Sequence, residues 1–328
     1  MAANPGVLES MRLAYAAYDR GDAAPLLDLF AEDGVIRFTA PESFLHFAGP
    51  SSGPEGARKA LTAISEIFAW ESYKIYEMLV DGDSVFAVTG GMLRHKETDQ
   101  RTEVQLGDLI RFQRGRIVEF VEFFDSAGLR AWVKRAGTPS NTELNGGRGG
   151  GSSASPGASP GDEGDASGES ATRAGATCSQ SAADALRQSV SANNKTAANK
   201  HLLSRCYDAY AACDPQPLVS LFDDEASYNA VARCEDFSFA GPCHGRRAVL
   251  ENIARIHADY DLEKYAVTRM IAQDDLVAVH ADVGFRYKST GNLVAIDKVD
   301  LFRMRDGKII EFNEFFDTAS AYDMREGA

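Results

Sequence analysis

The chain contains the same stretch of sequence twice. Residues 15–128 fall on 207–320 at a constant offset of 192 residues, without a gap. Tyr15, Tyr18, Asp22, Pro25, Leu26, Leu29 and Phe30 land on Tyr207, Tyr210, Asp214, Pro217, Leu218, Leu221 and Phe222. Phe47-Ala48-Gly49-Pro50 lands on Phe239-Ala240-Gly241-Pro242. Gly115, Ile117, Glu119, Phe120, Glu122, Phe123, Phe124 and Asp125 land on Gly307, Ile309, Glu311, Phe312, Glu314, Phe315, Phe316 and Asp317. A period this long holds a whole domain, not one unit of a solenoid. The expected organisation is copy one over 1–136, a linker over 137–195 and copy two over 196–328.

The linker is rich in Gly, Ser, Pro and Asp, as in Asn145-Gly-Gly-Arg-Gly-Gly-Gly. Such sequence buries too little apolar area to offset chain entropy, so disorder is expected there, with a helical turn over Ala182 to Val190. The 328 residues carry a formal charge of −14, which disfavours nucleic acid and anionic membrane as partners. No apolar run reaches the ~18 residues of a membrane span, and Met1 to Met11 lacks a secretory pattern. The five cysteines, Cys178, Cys206, Cys213, Cys234 and Cys243, are an odd number confined to one half. They read as reduced thiols in a cytoplasmic protein rather than as a disulfide framework. Cys234 with Cys243-His244 lacks a second ligand pair, so no metal is expected. No dinucleotide or P-loop fingerprint occurs, so no cofactor is expected.

Within a copy, apolar residues at helical spacing predict a helix over 7–20, broken at Gly21-Asp22. Asp22 is the expected N-cap of a short helix ending near Phe30. A strand over Val35–Phe38 and a helix over Gly53–Phe68 follow. Strands are then expected at about Ser72–Val80, Ser84–Lys96, Glu103–Arg111 and Arg116–Asp125, with Asp81-Gly82-Asp83 and Arg114-Gly115-Arg116 as hairpin turns. Helices first and a hairpin-linked sheet later define an α+β layer fold.

A helix ending in Gly-Asp, then Leu-Phe-x-x-Asp, then a Gly-containing loop opening a helix, then strands ending in Gly-Arg/Lys-Ile-x-Glu-Phe…Asp, resembles the SnoaL-like polyketide cyclase family. That family is grouped with ketosteroid isomerase, limonene epoxide hydrolase and nuclear transport factor two. The resemblance covers both copies and implies two cystatin-like cones, each of three helices on a curved, mainly antiparallel sheet around an apolar cavity. It places Asp125 and Asp317 at the last-strand acid/base position of the cyclases, and Asp108 and Asp300 near a second polar pocket position. The isomerase base position is Phe38 in copy one and Ala230 in copy two, and the isomerase oxyanion tyrosine position is Ala14. The epoxide hydrolase Arg-x-Asp pair is replaced by Thr89-Gly90-Gly91 and Ala281-Asp282-Val283.

The residues themselves offer the following chemistry. Asp125 and Asp317 end apolar strands, where desolvation raises a carboxyl pKa towards neutrality; the same position suits a cap or turn residue leading into the Ser-Ala-Gly segment. Asp108 and Asp300 lie mid-strand, facing either a pocket or solvent beside Arg111 or Arg303. Glu119 with Glu122, and Glu311 with Glu314, are three apart on a strand and point to opposite faces, one to a pocket and one to solvent or an interface. His280 and Asp282 share a strand face found only in copy two. Tyr15, Tyr18, Phe38, His46 and Tyr73, with Tyr207, Tyr210 and Tyr265, are the candidate pocket walls. Three functions fit: a cofactor-independent cyclase, isomerase or hydrolase for a small apolar oxygenated molecule; a non-catalytic carrier or sensor; or a dimerisation module. Whether the chain is an enzyme is left open at this point. The linker favours intramolecular pairing of the copies by raising their effective concentration.

Overall fold

The computed structural model describes residues 5–136 and 177–327. One compact unit comprises Met1–Gly137 with Ala192–Ala328; a second, Thr138–Ser191, is described only where it is helical, from Thr177. The expected linker lies outside the described residues as far as 176, and 177–195 are helical.

Copy one runs α1 (Pro5–Asp19), α2 (Ala24–Leu27), β1 (Phe30–Phe38), β2 (Ser51–Ser52), α3 (Gly53–Ile67), β3 (Phe68–Trp70), β4 (Lys74–Asp81), β5 (Ser84–His95), β6 (Arg101–Gln113), β7 (Arg116–Phe124) and α4 (Ser126–Ala136). Copy two runs α5 (Thr177–Ala211), α6 (Gln216–Val219), β8 (Phe222–Ala230), β9 (Gly241–His244), α7 (Arg246–Asp259), β10 (Tyr260–Gln273), β11 (Leu276–Tyr287), β12 (Leu293–Arg305), β13 (Lys308–Phe316) and α8 (Thr318–Glu326). The sheets are ordered β2-β1-β7-β6-β5-β3, with β4 also on β5, and β10-β11-β12-β13-β8-β9. Only the β1–β7 and β8–β13 pairs are parallel among these ladders. This is the α+β tandem cone architecture.

The structure departs from expectation where local signals were short. The second helix stops at Leu27, and Phe30 already begins β1. Asp22 accepts from Ala24 N at 3.0 Å, closing the turn, but the helix starts one residue later than a cap there would place it. The segment after the last strand, for which no element was expected, is a helix, α4 or α8. In copy one the long edge strand is split in two. Gly90 and Gly91 sit at φ 136° and 153°, and a Cβ on Gly91 would lie 2.2 Å from Ser72 O. Copy two has Asp282-Val283 there, and β10 is continuous. The last hairpin turn of each copy carries positive φ at both central residues, Arg114 (52°) with Gly115 (76°) and Asp306 (51°) with Gly307 (73°), the twist that joins antiparallel strands.

Alternation along each strand sends side chains to two different cores. On β6, Leu106 and Ile110 join the cone interior, while Leu109 joins a separate cluster on the outer face. That outer cluster combines Leu79, Phe86, Val88, Leu109, Val121 and Phe123 with Ile271, Leu276, Ala278, Val299, Leu301 and Phe315 of copy two. Charged pairs rim it: Arg37–Asp297 at 2.5 Å, Arg269–Glu119 at 2.7 Å and Arg130–Asp323 at 2.6 Å. Gly107 lies under this contact. A Cβ there would meet Phe86 at 3.0 Å and Phe315 at 3.1 Å.

Gly107→Ala therefore tests the face-to-face packing. In a strand this change is ordinarily favourable; here overpacking is expected to lower stability by about 1–2 kcal/mol. Urea unfolding would measure it, and unchanged or higher stability would contradict the contact.

Candidate functional site

Each cone holds a buried carboxylate network at the same place. In copy one Asp108, fully buried on β6, accepts from Tyr15 Oη at 2.6 Å and from Thr89 Oγ1 at 3.1 Å. Tyr73 Oη donates to Thr89 Oγ1 at 2.9 Å. The other Asp108 oxygen, Oδ1, is buried with no hydrogen-bond partner. Directly across the ladder stands Glu122 on β7, a pair whose Cβ atoms are about 5 Å apart. Its carboxylate opens on a cavity of about 40 Å³ lined by Phe38, Leu45, Phe47, Phe68, Trp70 and Phe124 among others. Among the described residues no hydrogen bond or ion pair reaches that carboxylate.

Burial is the main influence on both acids. It pushes Asp108 up to about 7 against the lowering hydrogen bonds from Tyr15 and Thr89. It pushes Glu122 well above the ordinary carboxyl range, and the Asp108 charge adds to that. The two therefore titrate as a pair that holds its protons into the neutral range. Burial also raises the hydroxyls of Tyr15, Tyr18 and Tyr73, which remain donors.

Copy two keeps the frame and changes the charge. Asp300 accepts from Tyr207 Oη at 2.5 Å and Tyr265 Oη at 2.9 Å. Glu314 accepts from Tyr228 Oη at 2.9 Å. Between the acids lies Lys298, buried, where copy one has Leu106. Its Nζ donates to Glu314 Oε1 and lies 3.1 Å from Asp300 Oδ1, an ion pair whose angle falls short of a hydrogen bond. Burial lowers the lysine, but the Asp300 and Glu314 charges outweigh it and hold the ammonium above its usual value. A cavity of about 50 Å³ remains, lined by Lys298, Glu314, Tyr210, Phe237 and Phe239 among others.

The remaining candidates lie elsewhere. Asp317 caps α8, accepting from Ser320 N at 3.0 Å and from Ser126 Oγ at 2.7 Å. Asp125 accepts from Gly128 N at 2.9 Å and Thr318 Oγ1 at 2.7 Å. Each carboxylate thus caps its own helix and takes a hydroxyl from the other copy. Asp125 also lines a cleft of about 670 Å³ between the copies, and burial raises its pKa. His280 faces the outer side of β11, against Phe123 and 3.9 Å from Asp297. Asp282 pairs with Lys264 there, so neither reaches the cone cavity. His46 is exposed beside Phe47, whereas Phe38 lines the cavity. Tyr210 lines the second cavity with its hydroxyl 3.4 Å from His257 Nε2. Glu119 faces outward to Arg111 and Arg269. Asp108 and Asp300 are fully buried, not at a solvent-facing edge beside Arg111 or Arg303. Among the described residues no cluster of His, Cys, Asp and Glu is placed to hold a metal ion, and no helix is long and apolar enough to cross a membrane.

Two cones of one design, each a curved sheet wrapped round a small polar-based cavity, define a ligand-pocket fold in tandem. The SnoaL-like domain model matches residues 11–120 and again 203–312, more than half of the chain, which belongs to that family. Single copies also match solved structures. An NTF2-like protein from Burkholderia thailandensis is 23% identical, covering 42% of this chain and all (100%) of its own, with a TM-score of 0.35. A protein with a ketosteroid isomerase-like fold from Catenulispora acidiphila, solved with trimethylamine, is 18% identical over 38% of this chain and 92% of its own, at 0.33. An NTF2-like protein from Burkholderia pseudomallei is 20% identical over 39% and 95%, at 0.35. No curated protein matches the sequence.

The Asp108 burial has a consequence for stability. In the unfolded chain its carboxyl ionises near ~3.9; folded, it keeps its proton to about 7. Between those values the folded state binds more protons, so this contribution is full at low pH and is lost as pH rises towards neutrality. Asp108→Asn removes it while leaving an acceptor for Tyr15. The stability difference between variant and wild type is expected to shift in the variant's favour by roughly 2–4 kcal/mol from pH 4 to pH 7. Parallel pH profiles in chemical denaturation would rule this account out.

Proposed function

We propose that copy one is the working pocket. It binds a small, largely apolar organic molecule and exchanges a proton with it through Glu122, without a cofactor, while copy two serves as its structural partner. The observation that carries this reading is the Glu122 carboxyl, open to the cavity, without a hydrogen-bond partner, and beside a second buried acid. An acid with its pKa raised towards the working pH both gives and takes a proton readily. Glu122 would protonate a ligand oxygen and then recover a proton from a neighbouring carbon, an isomerase-type exchange with no net change in protons. Asp108 would act as a positioning residue, held by Tyr15 and Thr89. The aromatic wall of Phe38, Phe47, Phe68 and Phe124 would keep water out, so the charge that develops is met by fixed groups. A cavity of about 40 Å³ limits the bound part to a few heavy atoms.

Copy two supports the contrast. Its equivalent Glu314 is engaged by Lys298 and Tyr228, which leaves no free acid for a ligand. The last-strand Asp125 is engaged by Gly128 and Thr318, which favours a capping role for it over an acid/base role.

The test is hydrogen–deuterium exchange at carbon, followed by NMR, in small carbonyl compounds incubated with the full chain in deuterium oxide. Wild type is expected to catalyse exchange in at least one of them. Glu122→Gln is expected to slow it by about 100-fold or more, while Asp125→Asn stays within a few-fold. Bound ligands with no exchange in wild type would leave a carrier and overturn the proton-transfer reading. A loss confined to Asp125→Asn would move the site to the cleft between the copies.

A further inference from the structure

The duplication gives each cone an internal reference. At the offset of 192, Leu45, Phe47, Ile64, Phe68, Leu93, Val104, Leu106, Glu122, Phe124 and Leu129 correspond to Phe237, Phe239, Ile256, Tyr260, Phe285, Ile296, Lys298, Glu314, Phe316 and Ala321, so the two cavities are one site seen twice. In copy two an ammonium group is built into it. Lys298 Nζ sits between Glu314 and Asp300 and 5.8 Å from the centre of the Tyr265 ring. In copy one the acids remain as Glu122 and Asp108 and the ring remains as Tyr73, but Leu106 brings no charge. Among the described residues no Lys, Arg or His pairs with either acid. One oxygen of Asp108, on a residue 0% exposed, has no partner at all.

We propose that the copy-one cone recognises a small organic ammonium ion, whose charged nitrogen takes the place that Lys298 Nζ occupies in copy two. The recognition chemistry is gathered at the cavity: Glu122 lines it, and Asp108 stands directly across the ladder from Glu122. Two carboxyl groups supply the countercharge once the cation stabilises their ionised form. Trp70, Phe38 and Phe68 supply aromatic surface, with Tyr73 packed edge-on behind Trp70, the setting in which alkylated ammonium ions are favoured over hydrated inorganic cations. The cavity is too small for a lysine-length chain and suits a compact head with few carbons. This inference rests on copy one being the ligand pocket, but not on proton transfer there.

Isothermal titration of the full chain with methylammonium and tetramethylammonium chloride tests it, with tert-butanol as the neutral isostere and sodium chloride holding ionic strength constant. One site per chain is expected for at least one of the two ammonium ions, at least tenfold tighter than tert-butanol. Leu106→Lys, folded by its thermal melt, is expected to abolish that site. Lys298→Leu is expected to melt lower than wild type and to recover towards it in methylammonium, with a second site appearing in titration. Equal affinity for tert-butanol and the ammonium ions would overturn the inference and leave the pocket reading standing. Failure of every probe to bind, with no carbon exchange in the assay above, would overturn both. Ammonium binding that survives Leu106→Lys unchanged would place the cation elsewhere and overturn the assignment.

Discussion

A carboxyl group withdrawn from water needs a cation, a set of donors or its own proton. The two cones meet that need differently, and their difference in chemistry follows from this. Copy two supplies a cation, Lys298, and adds Tyr228 and Tyr265 as donors. Copy one supplies Tyr15 and Thr89 to one oxygen of Asp108 and leaves the rest to protonation. A removable proton in an apolar cavity is a reactive group. A lysine held between two carboxylates keeps its ammonium charge and occupies their oxygens.

The other constraint is the two-residue period of the strands. It gives every central strand one face for the cone and one for the partner copy. On β7 a single irregularity in the ladder, where β6 shifts register between Arg111 and Phe112, lets Ile117, Phe120, Glu122 and Phe124 face inward while Glu119, Val121 and Phe123 face out. The pocket and the contact between the copies are therefore built from alternate residues of the same strands. A change that disturbs the outer face, such as added volume at Gly107, strains the backbone that carries Leu106 and Asp108 on either side of it.

Much of this was legible in the chain. The duplication, the strand order by hairpins and the opposite facing of Glu119 and Glu122 follow from spacing alone. Asp108 and Asp300 were conspicuous as acids amid apolar strand residues. The role of Asp125 and Asp317 was not decidable, because an Asp after Phe-Phe serves a pocket or a cap equally well. The capping geometry appears only once α4 and α8 are in place, and Ser-Ala-Gly is too weak a helical signal to announce the first of them. Lys298 was missed although a signal existed. It lies two residues before Asp300, on the same face of a buried strand, where its counterpart is Leu106.

The differences between the copies come as a set. A leucine in place of Lys298, as copy one has at Leu106, would leave Glu314 and Asp300 without a cation and with only their tyrosine donors. Tyr228 stands where copy one has Ile36, so the acid that holds the lysine is itself held from the neighbouring strand. Ala281 stands where copy one has Thr89. Without that hydroxyl, Tyr265 bonds Asp300 directly, whereas Tyr73 reaches Asp108 only through Thr89. These three changes in copy two, at Lys298, Tyr228 and Ala281, each add or reroute a contact onto its two acids. Every corresponding residue in copy one leaves Glu122 untouched. In copy two the changed residues converge on Asp300 and Glu314, whereas in copy one no side chain among the described residues bonds Glu122. The pattern fits one pocket closed by an internal ammonium and one kept open for a ligand.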